Sequence, residues 1–170
     1  MMKTELSTSA VITSEQMLEH WQGHRNLTRR VIEAFPEDKL FTHSIGDMRT
    51  FGEISKELID LAGRGIHGIA TGNWDALPDL DHQTETASIA TVHSKQELLR
   101  LWDMVTGEIN SLWPTIPEGR FSEVDVAFGL YEGEIKSTLF YFIDNEIHHR
   151  GQGYVYLRSL GIEPPSFWEK

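Results

Sequence analysis

Three segments of the chain begin with the same local signal, and together they limit the fold more than any other feature. Thr13, Thr50 and Ser94 are each followed three residues later by Gln or Glu. This is the capping-box pattern, in which the hydroxyl accepts a hydrogen bond from the third backbone amide and the later side chain returns one. Apolar residues at helical spacing follow each start. We therefore predict three long amphipathic helices that begin at these residues.

The ends of these helices are marked as well. Phe35 and Trp113 each precede a proline, and proline disfavours the helical conformation in the residue before it. Gly72 is placed to end the second helix just after residue 70, because glycine adopts the left-handed conformation common at helix ends. The first three helices are thus bounded on both sides.

A fourth helix is predicted from about Glu132 to Leu160, with Gly161 as its stop. Its apolar residues recur at helical spacing: Ile135, Leu139, Phe142, Gly153, Tyr156 and Leu160. Four such helices joined by two long connections predict an all-α fold, a four-helix bundle in which residues 1–170 form one domain. The connections are a polar surface segment at 73–92 and a linker at 117–131, where partial alternation of apolar residues allows a short strand.

Composition excludes several classes of function. The net charge of −11, from 26 acidic and 15 basic residues, argues against a nucleic-acid surface and against binding to anionic membranes. The absence of cysteine excludes disulfides, a cysteine nucleophile and thiolate metal ligands from the chain itself. No apolar run approaches the length of a membrane span, and the N-terminus lacks a signal-peptide pattern. We expect a soluble protein in a reducing cytoplasm.

Four polar residues fall on the inward side of the predicted helices: Glu57 on the second, and Asn145, His149 and Gln152 on the fourth. Buried polar groups are costly unless they are paired or bind something. Glu57 and His149 are suitable ligands for a divalent ion, and the amide oxygen of Asn145 suits harder ions. The same spacing is also compatible with a Glu57–His149 ion pair that bridges two helices. The residues alone leave both interpretations open.

Other features of the helices point to packing or close approach. His20 and His24 flank the inward Trp21, so at least one of them should lie near the surface, which disfavours a ligand pair. Gly151 and Gly153 stand inside the fourth helix, where each costs about 1 kcal/mol relative to alanine. The usual reason for such a glycine is close approach of another helix or of a ligand.

Several sequence strings resemble those of the DinB-like (YfiT-like) family of four-helix bundles. They are HRGQ at 149–152, YLR at 156–158, GIEPP at 161–165 and MRTFGEI at 48–54. The number and placement of the helices match this family over nearly the whole chain. The resemblance therefore implies the same bundle fold.

The resemblance also implies a site. Members of the family typically hold a divalent metal with three histidines, at positions that fall on Glu57, Asn145 and His149 here. The best-understood members are metal-dependent transferases in which the metal binds a low-molecular-weight thiol, such as bacillithiol or mycothiol, as thiolate. By this resemblance we expect Zn²⁺, Ni²⁺ or Mn²⁺ at those three residues, and Arg150 and Gln152 as groups that orient ligands or the thiol.

Two functions follow as hypotheses. The first is a metal-dependent transferase or hydrolase-like enzyme that acts on a small-molecule substrate. The second is a metal-free homodimeric bundle that binds a small ligand or partner without catalysis, because two of the three family histidines are replaced. Dimers are common in the family, and Trp74 and Trp168 lie outside the predicted helices. We therefore also expect a homodimer.

Overall fold

The computed structural model describes residues 11–75 and 89–170, which form five α-helices and one β-hairpin. The helices are α1 (Ser14–Ala34), α2 (Glu37–Leu40), α3 (Phe51–Thr71), α4 (Lys95–Leu112) and α5 (Ile135–Ser159). The antiparallel strands are β1 (Val124–Ala127) and β2 (Tyr131–Glu134). The four long helices pack together, and the predicted all-α bundle is confirmed. Within the described ranges, no helix is long and apolar enough to cross a membrane.

The predicted helix starts are present as hydrogen bonds. The Thr13 hydroxyl accepts from the Gln16 amide at 3.2 Å, and the Gln16 side chain accepts from the Thr13 amide at 3.0 Å, so this box is complete. The hydroxyls of Thr50 and Ser94 likewise accept from the amides three residues on. Gly72 ends α3 in the left-handed conformation, with φ of 77°. The helices α1, α3 and α4 therefore begin and end within a residue or two of their predicted limits.

Two parts of the fold differ from the prediction. The helix α5 begins three residues later than predicted, because Tyr131–Glu134 pair with Val124–Ala127 as a hairpin instead of entering the helix. The four-residue α2, directly after Pro36, was not predicted. Of the predicted connection at 73–92, residues 76–88 lie outside the described part of the chain.

The core lies between α1, α3, α4 and α5, which contact one another in the pairs α3–α4, α3–α5, α1–α5 and α1–α4. Its largest fully buried side chains include Trp21, Trp102 and Tyr156. Gly153 lies at a close approach of α5 to α3, since a Cβ atom there would stand 2.5 Å from the ring of Phe51. This contact brings the C-terminal third of α5 against the first turn of α3.

Candidate functional site

Glu57 on α3 and His149 on α5 face each other across the contact between their helices. Nε2 of His149 lies 3.4 Å from Oε1 of Glu57. The His149 side chain is 11% exposed and the Glu57 side chain is 39% exposed, so the pair stands at the edge of the core. The two residues that the sequence predicted to be partners are thus brought together.

The imidazole of His149 is held on its other side by the next turn of α5. Nδ1 of His149 lies 3.0 Å from Oε1 of Gln152. An amide oxygen only accepts hydrogen bonds, so the contact is a hydrogen bond when the imidazole carries its proton on Nδ1. The same ring orientation directs Nε2 at the Glu57 carboxylate.

The Glu57 carboxylate has a second partner. Oε2 of Glu57 pairs with Nη1 of Arg49, which lies two residues before the start of α3, and the Arg49 side chain is 51% exposed. Partial burial acts to raise the pKa of Glu57, but the hydrogen bond and charge of Arg49, with those of His149, outweigh it and lower that pKa. Glu57 is therefore an ionised carboxylate whose charge is balanced by a guanidinium from the same chain.

Asn145 lies one turn before His149 and is half-buried. Its Nδ2 atom is buried, and it has no hydrogen-bond partner in the part of the chain that the structure describes. A side-chain amide nitrogen is not a metal ligand, and the amide oxygen favours hard ions over zinc. Asn145 is thus a weak replacement for the histidine that the family resemblance places here.

The donor set can be compared with what a divalent centre needs. Two ligands at the usual 2.0–2.1 Å from one tetrahedral ion stand roughly 3.3 Å apart, and the 3.4 Å between Glu57 and His149 is close to that spacing. A catalytic zinc site, however, uses three firm ligands. Among the described residues, no group of three or more His, Asp or Glu side chains is placed to hold an ion. These residues therefore do not supply the three-ligand centre that the resemblance implies.

Arg150 lies elsewhere than the sequence interpretation suggested. Its Nη2 is 2.9 Å from Nδ1 of His24 and its Nη1 is 3.1 Å from Oγ1 of Thr28, both on α1. Positions 150 and 152 are about 200° apart around a helix, so they serve different sides of α5. The structure thus brings Gln152 to the Glu57–His149 pair and directs the Arg150 guanidinium to α1.

A buried ionic cluster between α1 and α5 was missed by the sequence analysis. Glu146 accepts a 2.6 Å hydrogen bond from Thr28 and lies 3.7 Å from Arg25 and 3.9 Å from Arg150. Burial raises the pKa of the Glu146 carboxyl, while Arg25, Thr28 and Arg150 act to lower it. Burial likewise lowers the pKa of Arg25, to about 10, so its guanidinium stays charged at neutral pH.

The spacing of the inward residues on α5 could have identified Glu146 as a buried residue. Steps of three and four residues from Phe142 reach position 146 and then 149, so Glu146 lies at the centre of the inward stripe and Asn145 at its edge. His24 belongs to the same cluster: burial, then the charges of Arg150, Lys170 and His20, lower its pKa to about 3. His20 is exposed, in agreement with the expectation that at least one of this pair lies near the surface.

Comparison with known proteins agrees with this architecture. The chain is similar to a DinB-like protein, YjoA, of Bacillus subtilis, with 21% identity over 91% of this chain and 99% of that one, and a TM-score of 0.70. It is also similar to a DinB-like protein of Bacillus cereus, with 19% identity over 89% of this chain and 95% of that one, and a TM-score of 0.69. No curated protein matches it. The sequence profile of the DinB family matches residues 2–169, and the chain belongs to that family.

Proposed function

We propose that this DinB-family protein binds a small molecule at the Glu57–His149 pair and that it does so without a metal ion. One observation supports this most: the Arg49 guanidinium pairs with Oε2 of Glu57 while Oε1 faces His149. The carboxylate therefore already has a cation of its own chain beside it. A divalent ion would have to share that carboxylate with Arg49, and like charges at this distance repel.

The arrangement supports proton exchange with a bound molecule. Gln152 orients the imidazole of His149 through Nδ1, and Glu57 stands within reach of Nε2. An imidazole oriented by one neighbour and paired with a carboxylate on the other side is suited to exchange a proton with a bound molecule. Because Glu57 and Arg49 are both more than a third exposed, a ligand can reach this pair from solvent.

The test is thermal unfolding with and without metal. Any species that binds only the native state raises the melting temperature by mass action. We expect the wild-type melting temperature to be unchanged by Zn²⁺, Ni²⁺, Mn²⁺ or EDTA, and the His149→Ala variant to behave in the same way toward them. A rise with one ion that EDTA reverses, and that His149→Ala removes, would overturn the metal-free proposal.

A metal-dependent transferase is the second candidate, and the 3.4 Å separation of Nε2 of His149 and Oε1 of Glu57 favours it. Glu57, His149 and Asn145 would hold Zn²⁺, Ni²⁺ or Mn²⁺. When bound, such an ion lowers the pKa of a coordinated water or low-molecular-weight thiol. The chain's own contribution would be to orient His149 through Gln152 and to balance the charge of Glu57 through Arg49.

We also propose that the protein is a homodimer. Of the two tryptophans outside the predicted helices, Trp74 is 6% exposed and packs on Gly68 of its own α3, so it is not available to a partner. Trp168 is 69% exposed, and the hairpin also presents exposed apolar side chains, with Val124 at 63%, Leu130 at 75% and Tyr131 at 67%. Large apolar and aromatic side chains left on a surface are enriched at contacts between proteins. The hairpin is therefore the surface that supports this proposal.

A further inference from the structure

A pocket lies on a different side of α5 from the Glu57–His149 pair. It has a volume of about 400 Å³ and is bounded by α5 on one side and by the C-terminal segment, residues 163–168, on the other. Ile147, Gly151 and Arg158 line it from α5, and Phe167 and Trp168 line it from the segment. Residues 149 and 151 are about 200° apart around the helix. A molecule bound here would not occupy the face that carries His149.

Gly151 leaves open space on the side of the pocket that α5 forms. A Cβ atom at Gly151 would meet no heavy atom within 4 Å, whereas one at Gly153 would meet the ring of Phe51. The close approach of a second helix therefore explains Gly153 and does not explain Gly151. A glycine retained inside a helix without such a contact leaves the backbone open to a ligand.

The walls of the pocket are apolar and unusually exposed. Phe167 is 65% exposed, Trp168 is 69% exposed, and Ile147 is 37% exposed. The two aromatic rings stand edge to face, with centroids 5.1 Å apart. Small-molecule pockets are typically lined by apolar and aromatic side chains with a few polar groups that fix orientation. These side chains therefore suit a ligand with a planar apolar group.

Arg158 is the cation that this pocket offers to a ligand, in a chain whose net charge is −11. It lines the pocket with one carboxylate, Glu163, whereas the guanidinium of Arg150, which also borders the pocket, is directed to Thr28 and Glu146. The Arg158 guanidinium lies 5.8 Å from the ring centre of Tyr154 and has no ion-pair partner within the described ranges. The Tyr154 hydroxyl, which also borders the pocket, has no hydrogen-bond partner among those residues. A guanidinium with free donors recognises a carboxylate in two-point fashion.

We propose that this pocket binds a small aromatic carboxylate, whose ring lies against Phe167 and Trp168 over Gly151 and whose carboxylate pairs with Arg158. This site is independent of the proposed function of Glu57 and His149. Its ligand class follows from the apolar walls, the open glycine and the cation, which are all on the same side of α5.

The test is isothermal titration of the full chain with 2-naphthoate and with its neutral analogue 2-naphthamide. We expect one equivalent of 2-naphthoate to bind, and 2-naphthamide to bind about tenfold more weakly, because it lacks the charge-assisted hydrogen bonds to Arg158. Arg158→Met should weaken 2-naphthoate to the level of the amide and leave the amide unchanged. Equal affinity for the two probes, or no heat from 2-naphthoate at about 1 mM, would overturn the proposal.

A pair of matched variants locates the site. Gly151→Leu places a side chain in the pocket and should abolish binding of both probes. Gly107→Leu is the control, because Gly107 is also an exposed helical glycine with nothing within 4 Å of a Cβ, but on α4 and outside the pocket. Circular dichroism establishes that each variant is folded. Should Gly151→Leu fail to fold, the comparison of the two probes on wild type and Arg158→Met still decides. Undiminished binding to folded Gly151→Leu would contradict the assignment.

Discussion

Oε2 of Glu146 lies 3.7 Å from Nη1 of Arg25, and neither side chain is more than 3% exposed. Removal of one partner of a buried ion pair leaves the other as an uncompensated charge, at a typical cost of about 3–5 kcal/mol. We therefore expect Glu146→Gln to lower the free energy of unfolding by about that amount, as measured by urea denaturation. The shape of the side chain is conserved, so lost packing does not explain such an effect.

The control for this change is Glu33→Gln. Glu33 pairs with Arg29 on the surface of α1, with side chains 59% and 32% exposed, and such pairs contribute about 0–1 kcal/mol. Equal effects of Glu146→Gln and Glu33→Gln on the denaturation midpoint would show that the buried cluster does not stabilise the contact of α1 with α5.

The two glycines of α5 should respond in opposite ways to alanine. Gly153→Ala drives a methyl group into the ring of Phe51, and overpacking of this kind costs about 1–3 kcal/mol. Gly151→Ala meets open space and should stabilise the helix by up to about 1 kcal/mol. Melting temperatures of the two variants beside wild type provide the comparison. A fall of equal size in both would contradict the close approach of α5 to α3 at Gly153.

The stability of the fold should depend on pH through Glu57. The pKa of Glu57 in the folded chain is lowered from its ordinary value of 4.5, because Arg49 and His149 outweigh the effect of burial. The ionised carboxylate therefore stabilises the native state above that ordinary value, and this contribution is lost as the pH falls through the lower, folded pKa.

The measurement is the difference in unfolding free energy between wild type and Glu57→Gln from pH 7 down to pH 3. We expect the difference to shrink as the pH falls below the ordinary Glu57 pKa of 4.5. In an Arg49→Gln background, the same difference should depend less on pH. A wild-type advantage that grows as the pH falls would have the wrong sign for this pairing.

Assembly gives a separate prediction. Light scattering coupled to size exclusion should report about twice the 19.4 kDa chain mass. Lysine at both Leu130 and Tyr131 places charge on the exposed apolar hairpin and should yield the single-chain mass. Val155→Lys is the control: it changes an apolar residue that is 54% exposed but lies 20 residues along α5 from Ile135, roughly 30 Å away. A wild-type mass of one chain across micromolar concentrations would refute the dimer.

The helices could be predicted from the sequence because their signals are local. A Ser or Thr followed three residues later by Gln or Glu is enough to predict a helix start, as the Thr13–Gln16 capping box illustrates. The start of α5 could not be predicted in the same way, because it depends on a contact between two segments of the chain. Glu132 can enter a helix or a strand, and the pairing of β2 with β1 decides between them, which no window along the chain reveals.

The candidate site was predictable only in part. Glu57 and His149 could be paired because each lies on the inward side of its own helix. Arg49 could not be added in the same way, because it precedes α3 and reaches Glu57 through the geometry of the helix entry. Arg150 was predicted to belong to the same site. Its position on α5 instead directs it to α1, where its guanidinium donates to Thr28 and contacts His24.

The most direct measurement is a calorimetric titration of Zn²⁺, Ni²⁺ and Mn²⁺ into wild type and Asn145→His, both purified without tag or chelator. Asn145→His restores a firm ligand one turn before His149 and should bind one equivalent of ion, since it completes a third ligand beside Glu57 and His149. Wild type, which has Asn145 in place of a third firm ligand, should bind none at micromolar concentration. Binding of one equivalent by wild type, lost in His149→Ala, would contradict the metal-free site.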